Sequence, residues 1–218
     1  MSVDLREYDC ICGNNETEKW IYEYGEGHKE RYRYVLGKSG EKPLICFGIN
    51  PSCAHLEKVN DVWIAKPDST MCRVRNVSAK LGFDGYIMLN LYPLIDKNPD
   101  ILRKIDNNRA ESVIETNLEY INAVFEKYRK SDVLWACWGT SIIKNKDCLI
   151  RSLQRIDELA VTYGKKWKTI RWTKIEPVHP HHPLRISDDE VMSAKRFWEA
   201  NDEKTDFDVD MARYISAL

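Results

Sequence analysis

Four short apolar runs divide the chain from residue 44 onward, each bounded by glycine or polar residues. Residues 44–49 show no polar alternation, which is typical of a strand buried on both faces. Residues 86–89 and 133–138 repeat this pattern, and charged residues interrupt a weaker fourth run at residues 167–178. The pattern therefore predicts four strands of a buried, mostly parallel sheet.

The segments between these runs carry apolar residues at steps of three and four, the spacing of an amphipathic helix. The predicted helices are residues 71–81, 114–128, 142–159 and 187–198, and the last begins with Ser187 followed by three acids. Strands that alternate with helices predict an α/β fold. We expect a three-layer sandwich around a short, mostly parallel four-stranded sheet.

Residues 1–43 differ from the rest of the chain in being polar, charged and rich in tyrosine. Within them, residues 31–36 alternate and then turn apolar, which predicts an edge strand that feeds a turn. We expect an N-terminal extension at residues 1–43 and an α/β domain at residues 44–218, forming a single domain overall. A chain of 218 residues is long enough to bury one substantial core.

The chain carries 33 basic and 34 acidic residues, for a net charge of −1. Proteins that hold duplex nucleic acid by bulk electrostatics have a clear basic excess, so a nucleic-acid ligand here would require a local basic patch. Seven cysteines without zinc-type or redox C-x-x-C spacing are typical of a reducing compartment. Because no signal peptide or membrane-length apolar stretch is visible, we expect a cytoplasmic protein without a membrane partner.

The residues that follow each strand carry the functional signal, because ligands of parallel α/β sheets bind outside the carboxyl ends of the strands. The first predicted strand runs into Asn50-Pro51-Ser52. Proline restricts Asn50 to extended conformations, so the asparagine amide projects from the strand end. A plain turn is the other interpretation, since these three residue types are common turn formers.

The second predicted strand runs directly into Asn90. A buried amide without a partner costs about 1–3 kcal/mol, so asparagine is an expensive choice at this position. Its adjacent donor and acceptor match the edge of a nucleobase, which also presents neighbouring donors and acceptors. The alternative is a structural asparagine that ties two loops together.

The fourth run leads into His179-Pro180-His181-His182-Pro183-Leu184. A neutral imidazole in this rigid segment can donate a hydrogen bond to developing negative charge. A stiff surface loop is one alternative and a metal site is another. No nearby motif supplies the remaining metal ligands, and we expect no metal.

Asp68, Ser69 and Thr70 form a typical capped helix start, which Arg73 follows within one turn. Capping is the first interpretation, and a phosphate held by the helix dipole and the arginine is the second. The glycines form neither a G-x-G-x-x-G nor a Walker pattern, so we expect no cofactor.

These motifs, taken in order, resemble a bacterial and phage family known as domain of unknown function 1643. The family pattern reads Asn-Pro-Ser-Thr-Ala, Asp-Pro-Thr with arginines, a glycine-rich turn before Asn-Leu, then Trp-Gly and a late His-Pro-Leu. The corresponding residues here are Asn50-Pro51-Ser52-Cys53-Ala54, Asp68-Ser69-Thr70 with Arg73, Gly82-Phe83-Asp84-Gly85, Asn90-Leu91, Trp138-Gly139 and His182-Pro183-Leu184. Cys53 and Ser69 depart from the pattern, and the resemblance implies no activity.

A more distant resemblance is to the uracil-DNA glycosylase superfamily. It rests on Gly48-Ile49-Asn50-Pro51, on Leu89-Asn90 and on a His-Pro element at His179 or His182. The resemblance implies a glycosylase-like sheet, with Asn50 orienting a water, Asn90 reading the base and one histidine stabilising the leaving base. Asparagine replaces the usual aspartate at position 50, and residues 185–189 lack a recognisable minor-groove wedge.

The sequence thus predicts a uracil-DNA glycosylase-like site for a nucleobase or nucleotide, whose enzymatic form would cleave an N-glycosidic bond. The alternative is a non-catalytic module that binds a nucleotide or a nucleic acid. The candidate catalytic residues are Asn50, His179 and His182. The candidate substrate-binding residues are Pro51, Ser52, Asp68, Thr70, Arg73 and Asn90.

Overall fold

The computed structural model of the protein describes residues 3–12, 16–26, 31–105, 107–140, 146–174, 178–199 and 206–218. Its strands are β1 (Glu7–Cys12), β2 (Glu16–Glu26), β3 (Arg31–Lys38), β4 (Leu44–Gly48), β5 (His55–Val59), β6 (Val62–Lys66), β7 (Tyr86–Asn90), β8 (Val133–Ala136) and β9 (Lys166–Lys168). They form one nine-stranded sheet in the order β5-β6-β1-β2-β3-β7-β4-β8-β9.

Five helices cover both faces of this sheet within the described part of the chain. They are α1 (Ser69–Leu81), α2 (Asn107–Lys127), α3 (Lys146–Thr162), α4 (Asp188–Glu199) and α5 (Met211–Ala217). Helices α2, α3 and α5 pack on one face, with Ile45 and Phe47, whereas α1 and α4 pack on the other, with Leu44 and Cys46. Successive β4 side chains are therefore buried on opposite faces, as strand geometry requires. None of the described helices is long and apolar enough to cross a membrane.

The nine-stranded mixed sheet shows that the predicted short, mostly parallel four-stranded sheet is wrong. Parallel pairs join β4 to β7, β4 to β8, β8 to β9 and β1 to β6, and the other described pairs are antiparallel. Strand β3, expected at an edge, lies in the interior between β2 and β7. The first three strands are thus part of the same sheet as the apolar runs.

The hairpin of β5 and β6 shows why the apolar pattern missed part of the sheet. Only Leu56 is buried in β5, so the strand gives almost no hydrophobic signal. Asn60 and Asp61, which connect the two strands, have positive φ values of 48° and 63°. Such a two-residue turn matches the twist of antiparallel strands, and Asn-Asp between two valines was its sequence signal.

The carboxyl ends of β4, β7 and β8 lie side by side and position the candidate site. Beyond the strands, the Leu91 amide donates to the Gly48 carbonyl oxygen at 2.9 Å, so the chains stay paired. The Gly139 amide, after β8, donates to the Pro180 carbonyl oxygen at 2.9 Å. This bond brings the histidine-rich segment to the same end of the sheet.

Candidate functional site

A cavity of about 470 Å³ opens at the carboxyl ends of β4 and β7, beside Trp138. Its volume lies within the range of roughly 300–1,000 Å³ typical of small-molecule sites. The predicted site residues that line it are Asn50, Ser52, Asp68, Thr70, Asn90 and His182. Three predicted residues, Pro51, Arg73 and His179, are not part of its lining.

Asn90 is the most unusual polar residue of this cavity. It is only 1% exposed, yet neither its Oδ1 nor its Nδ2 has a hydrogen-bond partner among the described residues. Its backbone carbonyl oxygen, in contrast, accepts a 3.0 Å bond from the Asn117 amide. A Cβ atom added to Gly48 would lie 3.0 Å from Asn90 Oδ1, so glycine leaves room above this amide. The unpaired donor and acceptor are therefore available to a ligand.

Arg33, in β3, is a second buried polar residue on the cavity wall, and the sequence reasoning missed it. The residue is 3% exposed, and its Nη1 donates to the Ala54 carbonyl oxygen at 2.6 Å. Burial lowers the pKa of the guanidinium to about 10, against the opposing effect of Asp68. It stays charged at neutral pH, and no described carboxylate lies within ion-pair distance of it. The signal was an arginine between Tyr32 and Tyr34, two positions that become buried.

Helix α1 begins at the cavity wall. Asp68 is its N-cap, and the carboxylate accepts a 2.9 Å bond from the Met71 amide, as the capping interpretation requires. Ser69 and Thr70, the first residues of the helix, also line the cavity. The amide groups of a helix N-terminus favour anions, and the Asp68 carboxylate already occupies part of that potential.

His182 lines the cavity and His179 does not. Burial lowers the pKa of His182, although Asp68 opposes the effect, so the imidazole is neutral at pH 7. Its Nδ1 accepts a 3.4 Å bond from the Leu184 amide, which puts the proton on Nε2. Gly139, with a φ of 72°, lies beneath this ring, and an added Cβ would be 3.4 Å from His182 Cβ.

His179 is fully buried and belongs to a network next to the cavity. Its Nδ1 lies 2.7 Å from the Tyr214 hydroxyl oxygen, which also accepts a 2.9 Å bond from Trp138 Nε1. Burial lowers the pKa of His179, which keeps the imidazole neutral. The network therefore links α5 to Trp138, a cavity-lining side chain, rather than presenting His179 to a ligand.

Asn50 and Arg73 have structural partners. The Asn50 amide nitrogen donates to the carbonyl oxygens of Asp96 at 2.7 Å and Leu94 at 3.4 Å, which ties two loops together. Arg73 donates to the Ile186 carbonyl oxygen at 2.7 Å and forms a 2.6 Å ion pair with Asp188. Arg73 thus connects α1 to the start of α4 and has no access to the cavity.

A larger cavity of about 820 Å³ lies at the opposite, amino ends of β8 and β9. Its charged side chains are engaged, since Lys42 pairs with Asp132 at 3.3 Å and Lys168 pairs with Asp208 at 2.9 Å. Lys165 donates to carbonyl oxygens just beyond α2. The smaller cavity is therefore the stronger candidate, because its buried polar groups lack protein partners.

Metal chemistry has no visible basis in the described residues. Across residues 3–218, outside the gaps given above, no group of three or more histidine, cysteine, aspartate or glutamate side chains is arranged to hold an ion. Five of the seven cysteines are buried, and Cys53 and Cys72 are exposed. The chemistry available in the cavity is therefore that of hydrogen bonding and charge.

Comparison with models of protein families matches residues 33–184 to a family described as protein of unknown function (DUF1643). The match covers more than two thirds of the chain, and it spans the cavity lining from Arg33 to Leu184. Neither a search of curated proteins nor a search of solved structures gave a match.

Proposed function

Because the chain belongs to the DUF1643 family of proteins of unknown function, we propose its function from the cavity itself: the protein binds a nucleobase or nucleotide there. The observation that carries this proposal is the buried Asn90 amide with both polar atoms unpaired. Two unsatisfied groups in an unliganded protein cost free energy, which a complementary ligand would recover.

The chemistry of the Asn90 amide selects the class of ligand. An amide presents one acceptor next to one donor, and the edge of a nucleobase presents the complementary pair. Trp138 and Met88 supply apolar surface to the same cavity, which suits the faces of a flat heterocycle. The cavity volume of about 470 Å³ is sufficient for a ligand of nucleotide size.

Arg33 supports a nucleotide over a free base. A buried guanidinium without an ion-pair partner is costly, and a phosphate would offset that cost with charge-assisted hydrogen bonds. The start of α1, at Ser69 and Thr70, adds backbone donors to the same wall. Asp68 opposes an anion close to its own carboxylate, so we expect the phosphate on the Arg33 side.

Cleavage of an N-glycosidic bond is the second candidate function, and His182 is the observation that favours it. Its neutral imidazole carries a proton on Nε2 and lines the cavity, as stabilisation of a leaving base requires. The uracil-DNA glycosylase resemblance adds the base-reading role of Asn90. Asn50 weighs against catalysis, because its amide nitrogen is engaged by two carbonyl oxygens. Binding without cleavage is therefore our first proposal.

Calorimetric titration with nucleobases, nucleosides and nucleoside monophosphates tests this proposal. Asn90→Leu preserves side-chain size but removes the donor and acceptor, and we expect it to weaken binding at least tenfold. Asn76→Leu, at an exposed position of α1 outside the cavity, is the matched control. Equal affinity in wild type and Asn90→Leu, or no binding of any of these ligands, would refute the proposal.

The same proteins, incubated with uracil- and hypoxanthine-containing oligonucleotides, distinguish the two candidate functions. Abasic sites formed by wild type and lost in His182→Gln would support the glycosylase reaction. Ligand binding without abasic sites would leave the protein as a binding module.

A further inference from the structure

A second cavity of about 560 Å³ adjoins the first. The two share Ser52, Asp96 and Lys97 in their linings, so only these side chains separate them. The second cavity is also lined by Tyr22 and Tyr24 of β2, by Arg31 of β3, and by Cys53, Ala54, His55 and Ile95. A ligand that fills the first cavity can therefore continue into the second.

We propose that the ligand is one nucleotide of a single-stranded nucleic acid, and that the neighbouring nucleotide stacks on Tyr24 in the second cavity. This inference rests on the proposed function of the Asn90 cavity. It names the substrate class of that site, because a free mononucleotide would leave the second cavity unused.

The aromatic pair of β2 provides the stacking surface. The rings of Tyr22 and Tyr24 are stacked, with centroids 5.2 Å apart and planes at 19°. Tyr22 is only 9% exposed, whereas Tyr24 is 48% exposed. Packing on Tyr22 thus holds the Tyr24 ring in place while much of its surface faces solvent. An ordered, accessible ring of this kind is the element on which nucleic-acid-binding proteins stack bases.

The charge of the second cavity fits the phosphates that link two nucleotides. Arg31 and Lys97 both line it, and neither forms an ion pair with a described residue. The single carboxylate of the lining, that of Asp96, accepts a 2.7 Å bond from the Asn98 amide. Arg33, beneath the Ala54 carbonyl, adds a third positive charge between the cavities.

The same features favour a single strand over a duplex. A base that contacts Asn90 and a neighbour that stacks on Tyr24 must both be unpaired and unstacked from a complementary strand. The net charge of −1 is also unlike that of proteins that bind duplexes by bulk electrostatics. Three local cations are sufficient for a contact with two or three phosphates.

Fluorescence anisotropy with labelled hexanucleotides of each base, as DNA and as RNA, tests this inference. We expect hexanucleotides to bind at least tenfold more tightly than the corresponding mononucleotide, because they add one stacked base and its phosphates. Tyr24→Ala should remove this gain without changing mononucleotide affinity, and Tyr24→Phe should keep it. Phe197→Ala, at a 44% exposed aromatic residue of α4, is the control.

Two further measurements use the same complexes. Arg31→Gln should weaken hexanucleotide binding and reduce the slope of log affinity against log salt by about 0.7, the contribution of one phosphate contact. Cys53 and Cys72 are the exposed thiols, and Cys53 alone lines the second cavity. A hexanucleotide should therefore slow alkylation of Cys53 in the wild-type protein and leave Cys72 unaffected, whereas a mononucleotide should slow neither.

The failures of the two proposals are distinguishable. Equal affinity for mononucleotides and hexanucleotides, or no binding of a hexanucleotide, overturns the inference about Tyr24. Hexanucleotide binding that depends on Tyr24 but not on Asn90 overturns the proposed Asn90 site and leaves the stacking surface. Equal binding of a short duplex overturns the single-strand specificity.

Discussion

The side-chain amide of Asn117, in helix α2, donates a 3.0 Å hydrogen bond to the backbone carbonyl oxygen of Asn90, in strand β7. Asn117 is fully buried, so this bond anchors the end of β7 from the face opposite α1. The Asn90 side chain is not needed to hold its own strand. A structural amide and a ligand-directed amide therefore meet at one peptide unit, and mutation can separate their roles.

The first prediction contrasts these two asparagines in the unliganded protein. Asn90→Leu should leave the free energy of unfolding unchanged or raise it, because it removes two buried unpaired groups. Asn117→Leu should lower the free energy by about 1–3 kcal/mol, because the Asn90 carbonyl loses its donor. Urea denaturation measures both values. An equal loss of stability in the two variants would show that the Asn90 side chain is structural.

The second prediction concerns the space above Asn90. A Cβ at Gly48 would lie 2.7 Å from Met88 Cε and 3.0 Å from Asn90 Oδ1. Met88 ends in a flexible methyl group that can move, so Gly48→Ala should fold with a loss of about 1–3 kcal/mol. Binding of a mononucleotide should weaken at least tenfold, because the methyl group enters the ligand space.

Gly82→Ala is the control for this substitution. Gly82 caps α1 with a φ of 88°, and no atom lies within 4 Å of an added Cβ. The variant should lose stability of about 1 kcal/mol through backbone strain and keep its mononucleotide affinity. Comparable loss of affinity in both variants would assign the Gly48→Ala effect to stability alone.

The third prediction separates phosphate from base recognition at Arg33. Replacing a buried charge with an apolar residue is often neutral for folding, so Arg33→Met should retain the fold. The ratio of nucleoside monophosphate affinity to nucleoside affinity should fall at least tenfold, because only the phosphate loses a partner. Calorimetry with the matched pair of ligands gives this ratio. An unchanged ratio would remove Arg33 from phosphate recognition.

The fourth prediction is a loss of stability in mild acid. Burial lowers the pKa of His179, His181 and His182 below the ordinary value of 6.5. Between their folded-state pKa values and 6.5, the unfolded chain binds more protons, so stability is present at neutral pH and falls with the pH. Each histidine contributes a slope of at most about 1.4 kcal/mol per pH unit.

Urea denaturation from pH 7.5 to pH 5 measures this slope, and His182→Gln should make it shallower. His55→Gln, at an exposed position of β5, is the control. Carboxylates act in a lower window, since the pKa of Glu115, hydrogen-bonded to Arg155, lies below its ordinary value of 4.5. A slope that does not change in His182→Gln would exclude the buried imidazole as its source.

The placement of Asn90 and His182 followed from local rules. Each comes after an apolar run, and the ends of parallel strands meet at one edge, so their shared cavity could be expected from the sequence. Capping by Asp68 was equally local, since the bond to the Met71 amide spans three residues. The outcome for these residues depended on short segments whose periodicity is strong.

The residues that the sequence reasoning misjudged depend on contacts between distant segments. Arg33 reaches the cavity only because β3 pairs with β7, about fifty residues away. Asn50 is engaged by carbonyl oxygens of residues 94 and 96, and His179 by a hydroxyl 35 residues later. Periodicity carries no information about such pairings, and the weakly apolar β5 and β6 left the sheet order open.

The order of the strands has a kinetic consequence. Strands β1, β2 and β3, and separately β5 and β6, pair with sequence neighbours, and hairpins of this kind form within microseconds. The pairing of β3 with β7 and the parallel pairs require long loop closures, which are slow. Arg33 belongs to the early unit and Asn90 to the late one. A ligand that contacts both joins elements that separate when the protein unfolds, so it acts as a kinetic clamp that prolongs the lifetime of the native state and leaves the rate of folding unchanged.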